Sequence, residues 1–320
     1  MARAAGRDLV TWAILGLSGL AVASALSSQS GGPPLASRLP QPQRKSSPAT
    51  ALTARRLNRA AGTLAASVLA DSSIEHYRGS FKNKAMFTPL AVSALTLATS
   101  LHGTSDMRPS AHRVREVTYL LAAATGLLGT AFHLHNVTKK VGGLSWQNVF
   151  YGAPLGAPMA LLLSGLLGYC SERVREDSPG QRLVIFGWPA GRTIAAVAAV
   201  GLLGATGEAA LLHFRGAFHN PVMAVPVALP PIGAALLLSA ATGEQGWKHR
   251  LARCWMWLLT VMGVAGVGFH SYGVSRSMGG WRNWSQNVVD GPPLPAPPSF
   301  SGLALAGLAA LSLMKEPPNA

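Results

Sequence analysis

Four histidines recur at a fixed spacing in this chain, and they are the residues best suited to hold a cofactor. His76 is related to His213, and His133 to His270, by the same offset of 137 residues. Each lies near the end of an apolar segment, where an imidazole ligates a haem iron or another metal, carries protons, or caps a helix. Their recurrence in matched positions favours a binding site over a cap.

A b-type haem requires two imidazoles on facing helices and cations near its propionates. The sequence predicts one such set in each half of the chain. The two sets are His76, His133 and Arg78, and His213, His270 and Arg215. A non-haem metal is the alternative, because His133 and His135 form an H-x-H motif, although Tyr272 replaces His135 in the second half. The expected cofactor is haem b or another His-ligated metal.

Two acidic residues, Asp71 and Glu208, lie inside apolar segments and are again 137 residues apart. A carboxylate at that depth is costly and is a functional candidate for proton transfer, cation binding or pairing with an arginine. Asp71 precedes His76 by five residues, which places the two about 140° apart around a helix. We therefore expect Asp71 and Glu208 to form a proton or ion path that is separate from the histidines.

The loop that follows the second histidine of each half contains a Gly-Gly turn, a tryptophan and a Gln-Asn pair ending at Asn148 or Asn287. A Gly-x-Pro-Leu-x-Ala-Pro motif comes next in both loops, and it predicts a tightly packed or re-entrant segment lining a polar cavity. Asn148 and Asn287 are candidate ligands of a quinone or another head group. Structural capping is the alternative.

Composition places these residues in a membrane protein. Of the 320 residues, 49% are hydrophobic and 12% are charged, about half the charged fraction of a soluble domain. Eight apolar segments are long enough to cross a bilayer, and we expect helices. They are 57–76, 86–103, 116–135, 149–170, 193–213, 222–242, 253–271 and 292–314. Pro230 and Pro231, and the prolines from Pro292 to Pro298, predict helices that are broken or begin late.

The eight segments divide into two copies of one unit. Residues 76–89 and 213–226 are identical at seven of fourteen positions without a gap. The predicted fold is an all-α integral membrane protein, formed by tandem duplication of a four-transmembrane-helix unit at 55–170 and 192–314. Because each unit has an even number of helices, both run in the same direction, and the four histidines gather at one membrane face.

The N-terminal region is predicted to differ from the two units. The hydrophobic segment 1–26 is interpreted as a signal-like or anchor helix, and 27–54 as a flexible linker rich in Ser and Pro. The connections opposite the histidines carry more Lys and Arg than those beside them. By the positive-inside rule, the His-rich face of this multi-pass protein points away from the cytoplasm, in a bacterial inner membrane.

The net charge of +15 does not predict nucleic-acid binding, because the basic residues lie in short connections without a basic helix. The expected partner is the lipid bilayer. No nucleotide, protease, kinase or hydrolase motif appears. The leading hypothesis is a redox subunit that holds haem b or another His-ligated metal near one surface and exchanges electrons with a quinone. The alternatives are a transporter or channel with a polar path between the copies, and a structural subunit of a larger membrane complex.

Overall fold

The computed structural model of the chain describes residues 48–108, 110–176, 183–242 and 246–314. These residues form ten α-helices and one two-stranded hairpin, in the order α1 (Pro48–Arg78), α2 (Thr88–Ser105), α3 (Arg113–Thr138), α4 (Trp146–Phe150), α5 (Gly156–Arg175), β1 (Val184–Ile185), β2 (Trp188–Pro189), α6 (Ala190–Arg215), α7 (Val225–Thr242), α8 (Trp247–Arg276), α9 (Trp284–Asn287) and α10 (Pro298–Leu313). The predicted segment 1–26 and residues 27–47 of the predicted linker lie outside the described residues.

Five of the described helices are long and apolar enough to cross a membrane, namely α2, α3, α6, α7 and α8, two of them extended by a preceding 3-10 turn. Their outer faces expose large apolar side chains such as Leu120 and Leu127 on α3 and Val261 and Val264 on α8. Such surfaces are unfavourable in water and favourable in lipid. The protein is therefore all-α in these ranges, with the helices of a multi-pass integral membrane protein.

Four helices form the centre of the molecule, because α1 and α6 each pack against both α5 and α10. Alanines on these helices are completely buried at the contacts, including Ala54, Ala61, Ala195, Ala199 and Ala306. Small residues allow helix backbones to approach closely, which supplies the packing that holds helices together in lipid. The pairs α2–α3 and α7–α8 then close two bundles, one on α1 and α5 and the other on α6 and α10.

Three long helices are not among the five spanning candidates, and each has a physical reason. Arg55, Arg56 and Arg59 lie near the start of α1, and Glu172 and Arg175 lie at the end of α5. The remaining helix, α10, is apolar but only 16 residues long. All three belong to the centre, where neighbouring helices rather than lipid satisfy their polar groups.

The first helix begins at Pro48, inside the range 27–54 that was predicted to be a linker. Thr50, Ala51, Thr53 and Ala54 are all buried in this added turn and a half. Helix packing in the centre thus extends the helix further than local composition indicates, since tertiary contacts override weak helix propensity.

The predicted break in the sixth segment is wrong, because α7 continues through Pro230 and Pro231. Membrane helices tolerate proline where a neighbouring helix supplies hydrogen bonds. Here the Trp255 indole of α8 donates to the Leu229 carbonyl beside the prolines, at 2.9 Å. The eighth segment behaves as predicted, and α10 begins late, at Pro298.

The closest approach between neighbouring helices of the first bundle is between α3 and α5. A β-carbon added at Gly126 would collide with the backbone of Leu162 and Pro158, and one added at Gly165 would collide with the backbone of Ala123. Both obstacles are main-chain atoms that cannot rotate away. The glycines are therefore required by packing rather than by backbone conformation.

We expect Gly126→Ala to lower the thermal unfolding temperature of the purified protein in detergent, because overpacking a contact of this kind costs about 1–3 kcal/mol. The matched control is Gly207→Ala in α6, where the added β-carbon meets no atom within 4 Å. That control should leave stability unchanged or slightly raised, since alanine favours a helix more than glycine does. Equal unfolding temperatures for the two variants would contradict the packing argument.

Candidate functional site

The four matched histidines lie toward one end of their helices. His76 and His213 occupy the last turns of α1 and α6. His133 and His270 lie between one and two turns before the ends of α3 and α8. All four side chains are partly buried. Near that end, the next connection of the chain turns back into the bundle.

Each of these imidazoles makes a hydrogen bond between Nδ1 and a main-chain carbonyl oxygen of a following segment. The bonds run from His76 to Met86 (2.6 Å), from His213 to Met223 (2.8 Å), from His133 to Pro154 (2.6 Å) and from His270 to Pro293 (2.7 Å). A carbonyl oxygen only accepts, so Nδ1 carries the proton in every case. In the neutral ring, Nε2 then holds the lone pair that ligates a metal.

The Met86 and Met223 carbonyls are positioned by two turns with the same conformation. Asn83 accepts a hydrogen bond from the Ala85 amide at 3.0 Å, and Asn220 accepts one from the Val222 amide at 3.0 Å. Phe81, like the matched Phe218, has a φ of 45°, in the left-handed region that non-glycine residues seldom adopt. Backbone strain of this kind persists only where the surrounding structure requires it.

The strained phenylalanines contact the histidines directly. The rings of His76 and Phe81 meet edge to face with centroids 6.2 Å apart, and those of His213 and Phe218 do so at 6.1 Å. Each such ring covers one side of its imidazole and restricts its rotation. The first histidine of each half is therefore held by a main-chain hydrogen bond and by an aromatic side chain.

Asn148 and Asn287 use their side-chain amides to close the loops in which they lie. The Asn148 Nδ2 group donates to the carbonyls of Val141 (2.9 Å) and Gly143 (2.8 Å). That of Asn287 donates to those of Met278 (3.0 Å) and Gly280 (2.8 Å). Both protons of each amide are thus committed to the backbone. This geometry corresponds to the capping alternative, and it leaves neither amide N–H free for a quinone.

Arg78 and Arg215 each reach across to the other half of the molecule. Arg78 donates to the Val289 carbonyl, and its Nε lies 3.5 Å from an Asp290 carboxylate oxygen. Arg215 lies over the Phe150 ring at 4.8 Å. The guanidinium groups therefore bind the loops that precede α10 and α5. They are not arranged as free cations for haem propionates, the role expected from the sequence.

Asp71 and Glu208 come together although they belong to different halves. Their carboxyl groups are close enough to interact electrostatically, and the Glu208 carboxylate lies against Gly156 at the start of α5, leaving no room for a β-carbon there. Neither carboxylate forms an ion pair or hydrogen bond with the described part of the chain. The predicted pair thus exists as a neighbourhood of two acids between the central helices.

The histidines also associate in the expected pairs, since electrostatic interactions link His76 to His133 and His270 to His213. Within the described ranges, no three His, Cys, Asp or Glu residues are grouped as a metal site would need. His135, the other member of the H-x-H motif, joins no such group. The candidate site therefore consists of two histidine pairs, each short of a complete set of protein ligands.

A buried ionic cluster at the opposite end of the first half was missed by the sequence analysis. Arg115 is 1% exposed and donates to both carboxylate oxygens of Glu172, at 2.9 and 3.0 Å, and to Asp106 at 2.7 Å. Arg175 donates to the Gly103 carbonyl at 2.6 Å. Charged residues at the ends of α3 and α5 were the available signal, but they were interpreted as surface charges for the positive-inside rule.

A polar chain continues from this cluster into the centre. The Tyr119 hydroxyl donates to the Asn58 side chain and lies 3.2 Å from the Ser100 hydroxyl, and all three residues are buried. Buried polar groups with complete hydrogen bonding define one arrangement of the helices that carry them. This network joins α1, α2 and α3 and fixes the end of the bundle remote from the histidines.

No protein-family model, curated protein or solved structure matches this chain. The function is therefore argued from the geometry of its own residues.

The ionic cluster makes stability dependent on pH through Asp106. Burial raises the pKa of this carboxyl, but hydrogen bonds from Arg115 and the Arg108 amide, with the charges of Arg115 and Arg175, outweigh burial and lower the pKa below 3.8. A lowered folded-state pKa contributes stability above the unfolded value, and this stability is lost as the pH falls through the folded value. Asp106→Asn should therefore cost about 1.5–3 kcal/mol at neutral pH and much less in acid.

The measurement is chemical or thermal unfolding of both proteins between pH 7 and about pH 3. Asp290→Asn is the matched control, because Asp290 is 63% exposed and its Arg78 partner is 3.5 Å away. Exposed pairs contribute about 0–1 kcal/mol. An Asp106 variant that is no less stable than the Asp290 variant at neutral pH would refute the assignment.

Proposed function

We propose that this protein is a membrane redox subunit in which each histidine pair, His76 with His133 and His213 with His270, holds haem b or another His-ligated metal near one membrane surface. The observation that carries the proposal is the Nδ1–carbonyl hydrogen bond made by all four imidazoles. Metal-ligating histidines characteristically donate their second nitrogen to a carbonyl or carboxylate, which fixes the tautomer and orients the ring. A bound haem would supply one-electron transfer.

Haem is favoured over a non-haem metal by the number of protein ligands. Catalytic zinc and non-haem iron sites use three protein ligands, and no group of three is present among the described residues. Two histidines suffice when a macrocycle provides the other four ligand atoms. The residues present therefore fit a bis-histidine haem, although Arg78 and Arg215 are committed to loops and are not assigned to its propionates.

The chain's own residues orient the imidazoles and restrict access to them. Phe81 and Phe218 cover one side of the first histidine in each pair. The loops closed by Asn148 and Asn287 lead to the carbonyls that fix the second histidine. We propose a quinone or another subunit of a membrane complex as electron partner. Neither asparagine is assigned to it, because both amides are bound to the backbone.

The proposal includes the eight-helix tandem duplication. It is supported by contacts that recur in the two halves at matched positions: the four histidine bonds, the Asn83 and Asn220 turns, the Asn148 and Asn287 loops, and the positive φ values of Phe81 and Phe218. Parallel copies would place both histidine pairs at one membrane face. The distribution of Lys and Arg orients that face away from the cytoplasm of a bacterial inner membrane.

The test is the absorption spectrum of the full-length protein purified from haem-replete membranes. We expect a Soret band that falls by about half in His76→Ala or His213→Ala, and is lost in the double variant, because each pair loses a ligand. His135→Ala is the control, since it removes a neighbouring imidazole that has no match in the second half. A wild-type protein with neither a Soret band nor a bound metal would disprove the proposal.

A transporter or channel is the second candidate, favoured by Asp71 and Glu208. Two acids that approach each other from separate halves, without a basic partner in the described structure, are suited to sharing a proton or binding a cation. The path would then run between α1 and α6, beside Gly156.

Proteoliposomes containing a pH-sensitive dye separate the two candidates. If the acids form a proton path, Asp71→Asn combined with Glu208→Gln should abolish proton flux, because neither amide binds or releases a proton. Glu75→Gln should preserve the flux, because Glu75 is paired with Arg78 at 3.0 Å and has no acidic match in the second half. Wild-type liposomes without flux would exclude the path and leave the redox proposal unaffected.

A further inference from the structure

Three arginines gather at the face opposite the histidines, where α1, α8 and α10 meet. Arg56 and Arg59 lie on α1 and Arg253 on α8, and Arg56 interacts electrostatically with both of the others. The Arg56 Nη1 group donates to the Ser312 hydroxyl of α10 at 3.0 Å and to the Leu308 carbonyl at 3.4 Å. These contacts hold Arg56 in place but do not neutralise it.

Arg253 lacks acceptors for two of its guanidinium nitrogens. Nε and Nη2 are both buried and have no hydrogen-bond partner. Together they form one edge of the guanidinium group, and such an edge binds two oxygens of a phosphate or carboxylate in a bidentate manner. No carboxylate of the described residues forms an ion pair with Arg56, Arg59 or Arg253. A buried donor pair without an acceptor indicates an anion that binds there.

The matched position in the first half is neutral, which isolates the difference. Glu116 on α3 precedes Arg253 by 137 residues and is paired with Arg173 of α5 at 2.9 Å. Ser312 lies at the position of α10 that matches Arg173. An internal ion pair in the first half is thus replaced by an arginine and a serine in the second. The negative charge that is missing there has to come from outside the described residues.

We propose that Arg253, assisted by Arg56 and Arg59, binds a phosphate group at this membrane face. Its source is the head group of an anionic phospholipid or a free phosphate. The site lies at head-group depth, because Arg253 is in the second turn of α8 and Ser312 is in the last turn of α10. Arg59 is exposed and provides an approach from the lipid–water interface. This site is independent of the histidine pairs and of the function proposed for them.

The experiment uses the full-length protein in nanodiscs of phosphatidylcholine. Binding of a short-chain phosphatidylglycerol and of inorganic phosphate is measured in separate calorimetric titrations. Arg253→Glu should weaken binding at least tenfold, because the new carboxylate would pair with Arg56 as Glu116 pairs with Arg173. The matched control is Arg250→Glu, an exposed position on the same helix with the same change of charge.

The outcomes distinguish both the site and the source. Binding of the lipid alone assigns the site to a phospholipid head group, and binding of both ligands assigns it to the phosphate group itself. Either result supports the proposal if Arg253→Glu weakens it and Arg250→Glu does not. Arg253→Gln, which removes the charge without adding one, should also weaken binding while the unfolding temperature stays near that of the wild type. Absence of binding to the wild type, or equal losses in the two Glu variants, would overturn the proposal.

Discussion

A main-chain carbonyl inside a membrane protein has to find a donor, because the hydrocarbon around it offers none. At four places in this protein the donor is an imidazole, and each of these bonds ties the end of a helix to the segment that enters the bundle next. The same bond therefore satisfies the backbone, fixes the turn and selects the tautomer of the ring. A structural need and a ligand-ready nitrogen arise from one interaction.

The centre of the molecule gives these bonds a rigid support. Alanine and glycine contacts bring α1, α5, α6 and α10 close together, and small changes in their separation are opposed by backbone atoms rather than by flexible side chains. At the far end, Arg115 and Glu172 lock the first bundle with buried charge. Removing one partner of such a pair leaves the other charge uncompensated, at a cost of about 3–5 kcal/mol. The two ends of the first bundle are thus held by different chemistry.

The sequence was sufficient for the helices and for the residues that matter at the histidine face. Apolar length located all eight long helices, and matched positions singled out the four histidines, Asp71 and Glu208. It was insufficient wherever a residue's role depends on a partner distant in sequence. Arg78 has the composition of a propionate ligand, yet it binds Val289 and Asp290. The amides of Asn148 and Asn287 are bound to nearby carbonyls, which a motif alone does not distinguish from a free donor.

The reciprocal reach of Arg78 and Arg215 has a consequence for how the protein is made. Phe150 leaves the ribosome before Arg215, and Arg78 leaves it long before Val289 and Asp290. The first bundle is therefore synthesised with its loop before α5 lacking the cation that covers it, and with Arg78 lacking its carbonyl. Neither histidine pair reaches its final surroundings until α6 and the segment before α10 have entered the membrane. Maturation of the two sites is coupled to completion of the chain.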